Sequence, residues 1–191
     1  MGFDLYGLNP TSNDKPDEPD FMNDKDGTKA YFAWQDKTEG AYFRANVWYW
    51  RPIWAFVCGA SDGIFTDKDR DYGNSNSGHR ISMTKSKRIA ARLRKLDKGG
   101  VIQSWEDEMM EHYNKAKKHN ENVQKTLDAI TKNCKKEHGD DIVPADYPEP
   151  YNTQWNEAYN QRDWGSSYPP SRKYIMEFAN FAEHSGGFEI C

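Results

Sequence analysis

Apolar and polar positions alternate at both ends of the chain. Phe3 and Leu5 are set between small or polar neighbours before Tyr6-Gly7, and Phe188 and Ile190 flank Glu189 after Gly186-Gly187. Successive side chains of a strand point to opposite faces, so each stretch predicts a short strand, and pairing the two would close the domain. Elsewhere the helical period takes over. Ile89, Leu93 and Leu96 fall at i, i+4 and i+7, which predicts a helix capped near Ser82 or Thr84 and stopped at Gly99-Gly100. A last helix starts after Ser171, buries Ile175, Phe178 and Phe181, and ends at Ser185-Gly186-Gly187.

The longest pattern runs from 101 to about 138. Ile102, Met109, Tyr113, Ala116, Val123, Leu127, Ile130 and Cys134 repeat near a coiled-coil seam. One continuous helix would span about 55 Å at 1.5 Å per residue, so it should project, break near Lys117–Asn122 into a hairpin, or pair with a second copy. A homo-oligomer through 101–138 is therefore expected.

Aromatic residues organise the middle. In Tyr42–Trp54, Pro52 suits the first turn of a helix, which predicts an extended run to Trp50 and a helix from Pro52 to Gly59. Residues 11–40 form an acidic excursion in which Ala30–Trp34 reads as a second strand or a loop. Residues 140–170 are rich in proline and aromatic rings, with a short helix expected around 153–162. The fold class is mainly α (α+β): a single compact helical domain over 1–191, with a small antiparallel sheet joining the terminal strands and a long projecting helix or helical hairpin.

Composition narrows the picture. The hydrophobic fraction is 36% and the aromatic fraction 14%, so burial leans on large rings. Net charge is −4, which provides no global drive toward nucleic acid or an anionic membrane, and neither is an expected partner. The sign is segregated, however. Residues 1–40 carry nine acids against four bases, whereas 79–98 carry eight bases against Asp97 alone. Cys58, Cys134 and Cys191 are odd in number and widely spaced, as for reduced thiols. No basic start precedes an apolar run and no window approaches a membrane span, so a cytoplasmic location is expected.

Several stretches invite chemistry. Asp24-Lys25-Asp26-Gly27 and Asp67-Lys68-Asp69-Arg70-Asp71 look like fragments of calcium loops but lack the full ligand set, and are expected to be solvated turns. Glu108, His112 and His119 share a helix face, a polar row with no second ligand cluster to complete a metal site. His138 and His184, each at a helix C-terminus, suit the dipole. Asn74-Ser75-Asn76-Ser77-Gly78-His79-Arg80 is donor-rich and runs toward the basic helix, a suitable place for a phosphate. His79 near Asp69 or Asp71 has the elements of a general base, yet no nucleophile elbow, Walker loop or zinc set accompanies it.

Asp4-Leu5-Tyr6-Gly7, the run Tyr42–Pro52, Ser77-Gly78-His79-Arg80-Ile81 and the ending Ser185–Cys191 resemble a family of small, functionally unassigned proteins of tailed phages and some bacteria. The resemblance implies a phage accessory protein, for which neutralising a host defence is a common role. Three readings are open, and direct nucleic-acid binding through residues 85–98 stands beside them as a further alternative. In the first, a non-enzymatic protein sequesters a small nucleotide-like ligand, with no cofactor. Trp48 and Trp50 would stack its ring, and Arg44, Arg51, Asn74, Ser77, His79 and Arg80 would hold its phosphates. In the second, the acidic surface or the projecting helices block a host defence protein. The third is catalysis. Arg44 and Arg51 stand equally as binding groups or as clamps within the aromatic core.

Overall fold

The computed structural model describes residues 2–11 and 14–191. The chain divides into two compact units, Met1–Asp107 with Pro170–Cys191, and Glu108–Pro169. In order the elements are β1 (Gly2–Gly7), α1 (Lys25–Lys37), β2 (Tyr42–Asn46), α2 (Val47–Ala60), α3 (Asp67–Tyr72), β3 (His79–Ser82), α4 (Met83–Lys98), α5 (Val101–His138), α6 (Tyr151–Tyr159), α7 (Arg172–His184) and β4 (Gly187–Ile190). The protein is mainly helical, α+β, with one small antiparallel sheet.

The terminal strands do pair. Leu5 faces Ile190 across β1 and β4, and the sheet runs β2-β1-β4-β3 with every neighbour antiparallel. Alternation sets its inner face: Phe3, Leu5, Phe43, Ala45, Ile81, Phe188 and Ile190 are buried with Trp50, Trp54, Leu93 and Phe178 from the helices. Burial of this face is what orders such short strands, since a bare hairpin is marginal in water.

Helix α2 starts five residues earlier than its proline suggests. The Asn46 side chain accepts the Tyr49 N–H at 3.0 Å, so the chain turns helical at Val47 and Pro52 lies inside the helix. The asparagine cap fixes where the helix begins; a proline beyond the first turn costs about 3 kcal/mol, which the burial of Trp50, Ile53, Trp54 and Val57 offsets. The helical spacing then stacks Trp50 on Trp54 with centroids 5.2 Å apart. Both indoles reach the end of α3: Trp50 Nε1–H donates to Gly73 O at 2.8 Å and Trp54 Nε1–H to Arg70 O at 2.9 Å. A Cβ at Gly73 would lie 2.0 Å from the Trp54 ring. Gly73→Ala is therefore expected to destabilise by about 3 kcal/mol through overpacking, read as a lowered urea midpoint; an unchanged midpoint would mean that the indole is not wedged there.

Two further stretches are more ordered than expected. Ala30–Trp34 is helical, within α1, because the Asp24 carboxylate accepts the Gly27 N–H at 2.8 Å and caps the helix. Asp67–Asp71 is likewise no solvated turn. Thr66 and Asp69 form a reciprocal capping box that starts α3, and Asp69 is buried. The donor-rich loop after it does not run straight into a helix: β3 intervenes, and Ser82 caps α4 as anticipated.

Helix α5 is unbroken from Val101 to His138, without the bend expected at Lys117–Asn122. That polar segment is satisfied by its own chain. Asn120 Nδ2 donates to Asp163 O at 2.8 Å, Asp163 N–H donates to Asn120 Oδ1 at 2.9 Å, and His119 Nε2 lies 2.7 Å from Gln161 O. In the same unit Val123 and Leu127 pack with Ala158, flanked by Ile130, Trp155 and Tyr159. This part of the seam is covered within one chain, which removes the premise that only a second copy could bury it. Among the described residues no helix is long and apolar enough to cross a membrane.

Candidate functional site

Alternation that buries Phe3 and Leu5 turns Asp4 and Tyr6 to the other face of the sheet. The registers then place Tyr42, Tyr6, Glu189 and Arg80 in one row across all four strands, with Arg44 opposite Asp4 beside it. The row is internally organised. Tyr6 and Tyr42 have centroids 5.4 Å apart, and the Tyr42 hydroxyl donates to the Asp4 carboxylate. Burial and that bond raise the Tyr42 phenol well above its ordinary range. Arg80 Nε donates to Glu189 Oε2 at 2.6 Å, while its two Nη groups find no partner among the described residues. The carboxylate therefore orients a guanidinium that still has donors to offer.

The segment between β1 and β2 supplies the opposite wall. The Asp20 carboxylate accepts the N–H groups of Met22 and Asn23 at 3.0 and 3.3 Å and the Asn23 side chain at 2.7 Å, and these bonds hold its carboxyl below the usual range. The turn so fixed sets Phe21 edge-on to Tyr31 of α1 at 5.7 Å and beside Phe32 at 5.9 Å. Burial, and then the charge of Glu18, push the Tyr31 phenol up. Lys15 holds its ammonium 5.9 Å from the Trp34 ring.

Between these walls is a cleft of about 590 Å³, bounded by Tyr6 and Leu8 on one side, Phe21, Tyr31 and Phe32 on the other, and Lys15, Glu18, Gln35, Arg80 and Glu189 at its polar margins. Tyr6 is 38% exposed, Phe21 47% and Phe32 50%, so ring surface remains available to a ligand. Exposed π-faces beside an oriented guanidinium suit a planar, anionic molecule.

A second polar cluster is of a different kind. Asp69, 3% exposed, accepts from Thr66 N–H and Oγ1–H at 2.7 Å each and from Lys85 Nζ at 2.5 Å, and pairs with His79 Nε2 at 3.0 Å. Burial works to raise its carboxyl, but the bonds from Lys85, Thr66 and His79 outweigh burial and hold it well below the usual carboxylate range. Both oxygens are engaged, so the cluster ties α3, β3 and α4 together. His79 does meet Asp69, as a general-base arrangement requires, with its ring beside Tyr72 at 5.5 Å.

The residues nominated from the sequence are dispersed. Arg44 and Arg80 share the outer sheet face but stand on its two edge strands. Arg44 is no core clamp, being 68% exposed with Nε 3.6 Å from Asp4. Arg51, too, is exposed, on α2. Trp48 is 44% exposed, whereas Trp50 is fully buried between Phe3 and Trp54 and belongs to the core. Asn74 and Ser77 are exposed in the loop, and His79 turns to the opposite face from Arg80. Tyr6, Phe21, Phe32 and Lys15 carry no local motif that marks a site, although the alternation of β1 already turns Tyr6 away from the core. Among the described residues no three His, Cys, Asp or Glu side chains converge on a metal-sized site.

These features define a mainly helical α+β domain with an aromatic cleft on the outer face of its sheet. No family model, curated protein or solved structure matches the chain.

Proposed function

We propose that the protein is a non-enzymatic binding protein that captures a small nucleotide-like ligand in the cleft between α1 and the sheet. What supports this reading above all is that exposed Tyr6, Phe21 and Phe32 meet the oriented Arg80 guanidinium in one cavity of about 590 Å³. That volume falls within the ordinary range for small-molecule sites. The base stacks between Tyr6 and the Phe21/Phe32 wall, and the phosphate takes the Nη groups of Arg80 with the Lys15 ammonium near by. Glu189 fixes Arg80 in place. In the phage context that the sequence resemblance implies, such a protein sequesters a nucleotide signal of host defence in the cytoplasm without chemistry.

A second reading draws on the acidic excursion. Met22 is 87% exposed on the turn stapled by Asp20, with Asp17, Glu18, Asp24 and Asp26 around it in sequence. An exposed apolar side chain on a rigid acidic turn suits an inhibitor of a host defence protein.

Native mass spectrometry of protein from defence-active cells, followed by calorimetric titration with a panel of mononucleotides and cyclic dinucleotides, separates the two. A nucleotide-sized adduct is expected, and Tyr6→Ala or Arg80→Ala should each weaken binding by about 10- to 100-fold, the loss of one stacking platform or one charge-assisted contact. Binding indifferent to both substitutions overturns the cleft. A host polypeptide recovered in place of a nucleotide, and lost on Met22→Asp, favours the inhibitor. The same spectra report assembly mass, which tests the homo-oligomer expected through 101–138.

A further inference from the structure

Helix α4 concentrates positive charge in a way the fold does not require. Three of its bases are committed: Lys85 binds Asp69, Arg94 binds Glu183, and Arg88 Nη2 donates to Gly63 O at 2.8 Å. Lys87, Arg92, Lys95 and Lys98 are exposed and have no carboxylate partner among the described residues. At 100° per residue, these four and Arg88 fall in one wedge of about 140°, shared only with Thr84 and Ala91. No acid lies in it. Asp97, about 80° outside the wedge, is occupied by Arg172 at 2.6 Å, and Glu183 of α7 by Arg94.

A helix face that serves only to be solvated gains from alternating signs. Here Arg88–Arg92, Arg92–Lys95 and Lys95–Lys98 are like-charge neighbours at i+4 and i+3, an arrangement that disfavours the helix. The chain as a whole has more acids than bases, so the segregation is local. The opposite face, Ile89, Ala90 and Leu93, is completely buried, which leaves no apolar face to enter a membrane. The wedge carries no aromatic ring, so it offers no platform for stacking the bases of a single strand.

We infer that the exposed face of α4 is a docking surface for the phosphate backbone of double-stranded nucleic acid, contacted without sequence selectivity. Binding is electrostatic, through Lys87, Arg88, Arg92, Lys95 and Lys98, and is independent of the nucleotide cleft. Four to five neutralised phosphates give a log–log salt slope of about −4, a fall in affinity of about 250-fold between 50 and 200 mM salt.

The test is fluorescence anisotropy of the full chain with a labelled mixed-sequence DNA duplex of about 30 base pairs over that salt range. Arg92→Glu/Lys95→Glu should weaken binding at 50 mM salt at least tenfold and bring the slope to about −2. Circular dichroism checks folding, and Arg92→Gln/Lys95→Gln carries the comparison if charge reversal disturbs the helix. No duplex binding at 50 mM salt, or binding indifferent to the paired substitutions, overturns the inference. So does tighter binding to phosphatidylserine vesicles than to the duplex, which would make the partner a lipid surface.

Discussion

Trp50→Ala is expected to destabilise the protein by about 4 kcal/mol, the cost of truncating a fully buried large aromatic side chain. The indole is 0% exposed. It stacks on Phe3 at 5.5 Å and on Trp54 at 5.2 Å, and meets Phe178 at a steep angle at 5.8 Å. Trp54 continues the column onto Phe65 at 5.5 Å, so one line of rings joins β1, α2 and the turn before α3. Alanine removes the transfer energy of the ring, leaves a cavity in the middle of that line, and strips Gly73 O of its donor. Because the rings come from separate elements, none can move into the space without shifting its own backbone. Trp48, half-exposed on the same helix, supplies the contrast: Trp48→Ala should cost less than about 1 kcal/mol. Urea unfolding followed by circular dichroism measures both. Similar values for the two would mean that the column does not organise the core.

That contrast also shows where sequence reading succeeded and where it stopped. Phe3–Tyr6 and Phe188–Ile190 were legible because a period of two is visible in three or four residues, and Ser82 and Ser171 because a cap is a local device. Pro52 masks the cap at Asn46 in the sequence, and beginning the helix at Val47 is what places Trp50 and Trp54 one turn apart and inward, in the core rather than in a cleft. For the site, Arg80 was identified and Tyr6 was implicit in the alternation. Phe21 and Phe32 were not accessible, since their approach to Tyr6 depends on how residues 14–37 return over the sheet, and no local period encodes that path. Nor does a run of alternating acids announce that Asp69 alone is buried. Thr66, three residues before it, is a local sign of the capping box, but His79 and Lys85 come from β3 and α4, and only the tertiary structure brings them to Asp69.

Asp69→Ala is accordingly expected to cost about 3 kcal/mol, in the range seen when one partner of a buried charge pair is removed. The loss has three parts. The capping box of α3 disappears, worth about 1 kcal/mol on its own. Lys85 and His79 lose the carboxylate they point at, and the tie between α3, β3 and α4 opens. Asp69→Asn preserves the shape and an acceptor for Thr66 but not the charge, so it should be milder, about 2 kcal/mol at neutral pH. The two effects separate by pH. In the unfolded chain this carboxyl titrates near about 3.9, whereas in the folded protein it is held well below that. As acid is added the unfolded state takes up its proton first, so the stabilisation is fully present above about pH 5 and declines as pH falls through the unfolded value. The gap between wild type and Asp69→Asn should therefore be large at pH 7 and shrink markedly by pH 3. Other carboxylates titrate in both proteins and largely cancel in the difference. Urea midpoints of the pair at those two pH values test the argument, and a gap that stays constant would show that Asp69 acts through shape alone and that its charge contributes nothing to holding α3 against α4.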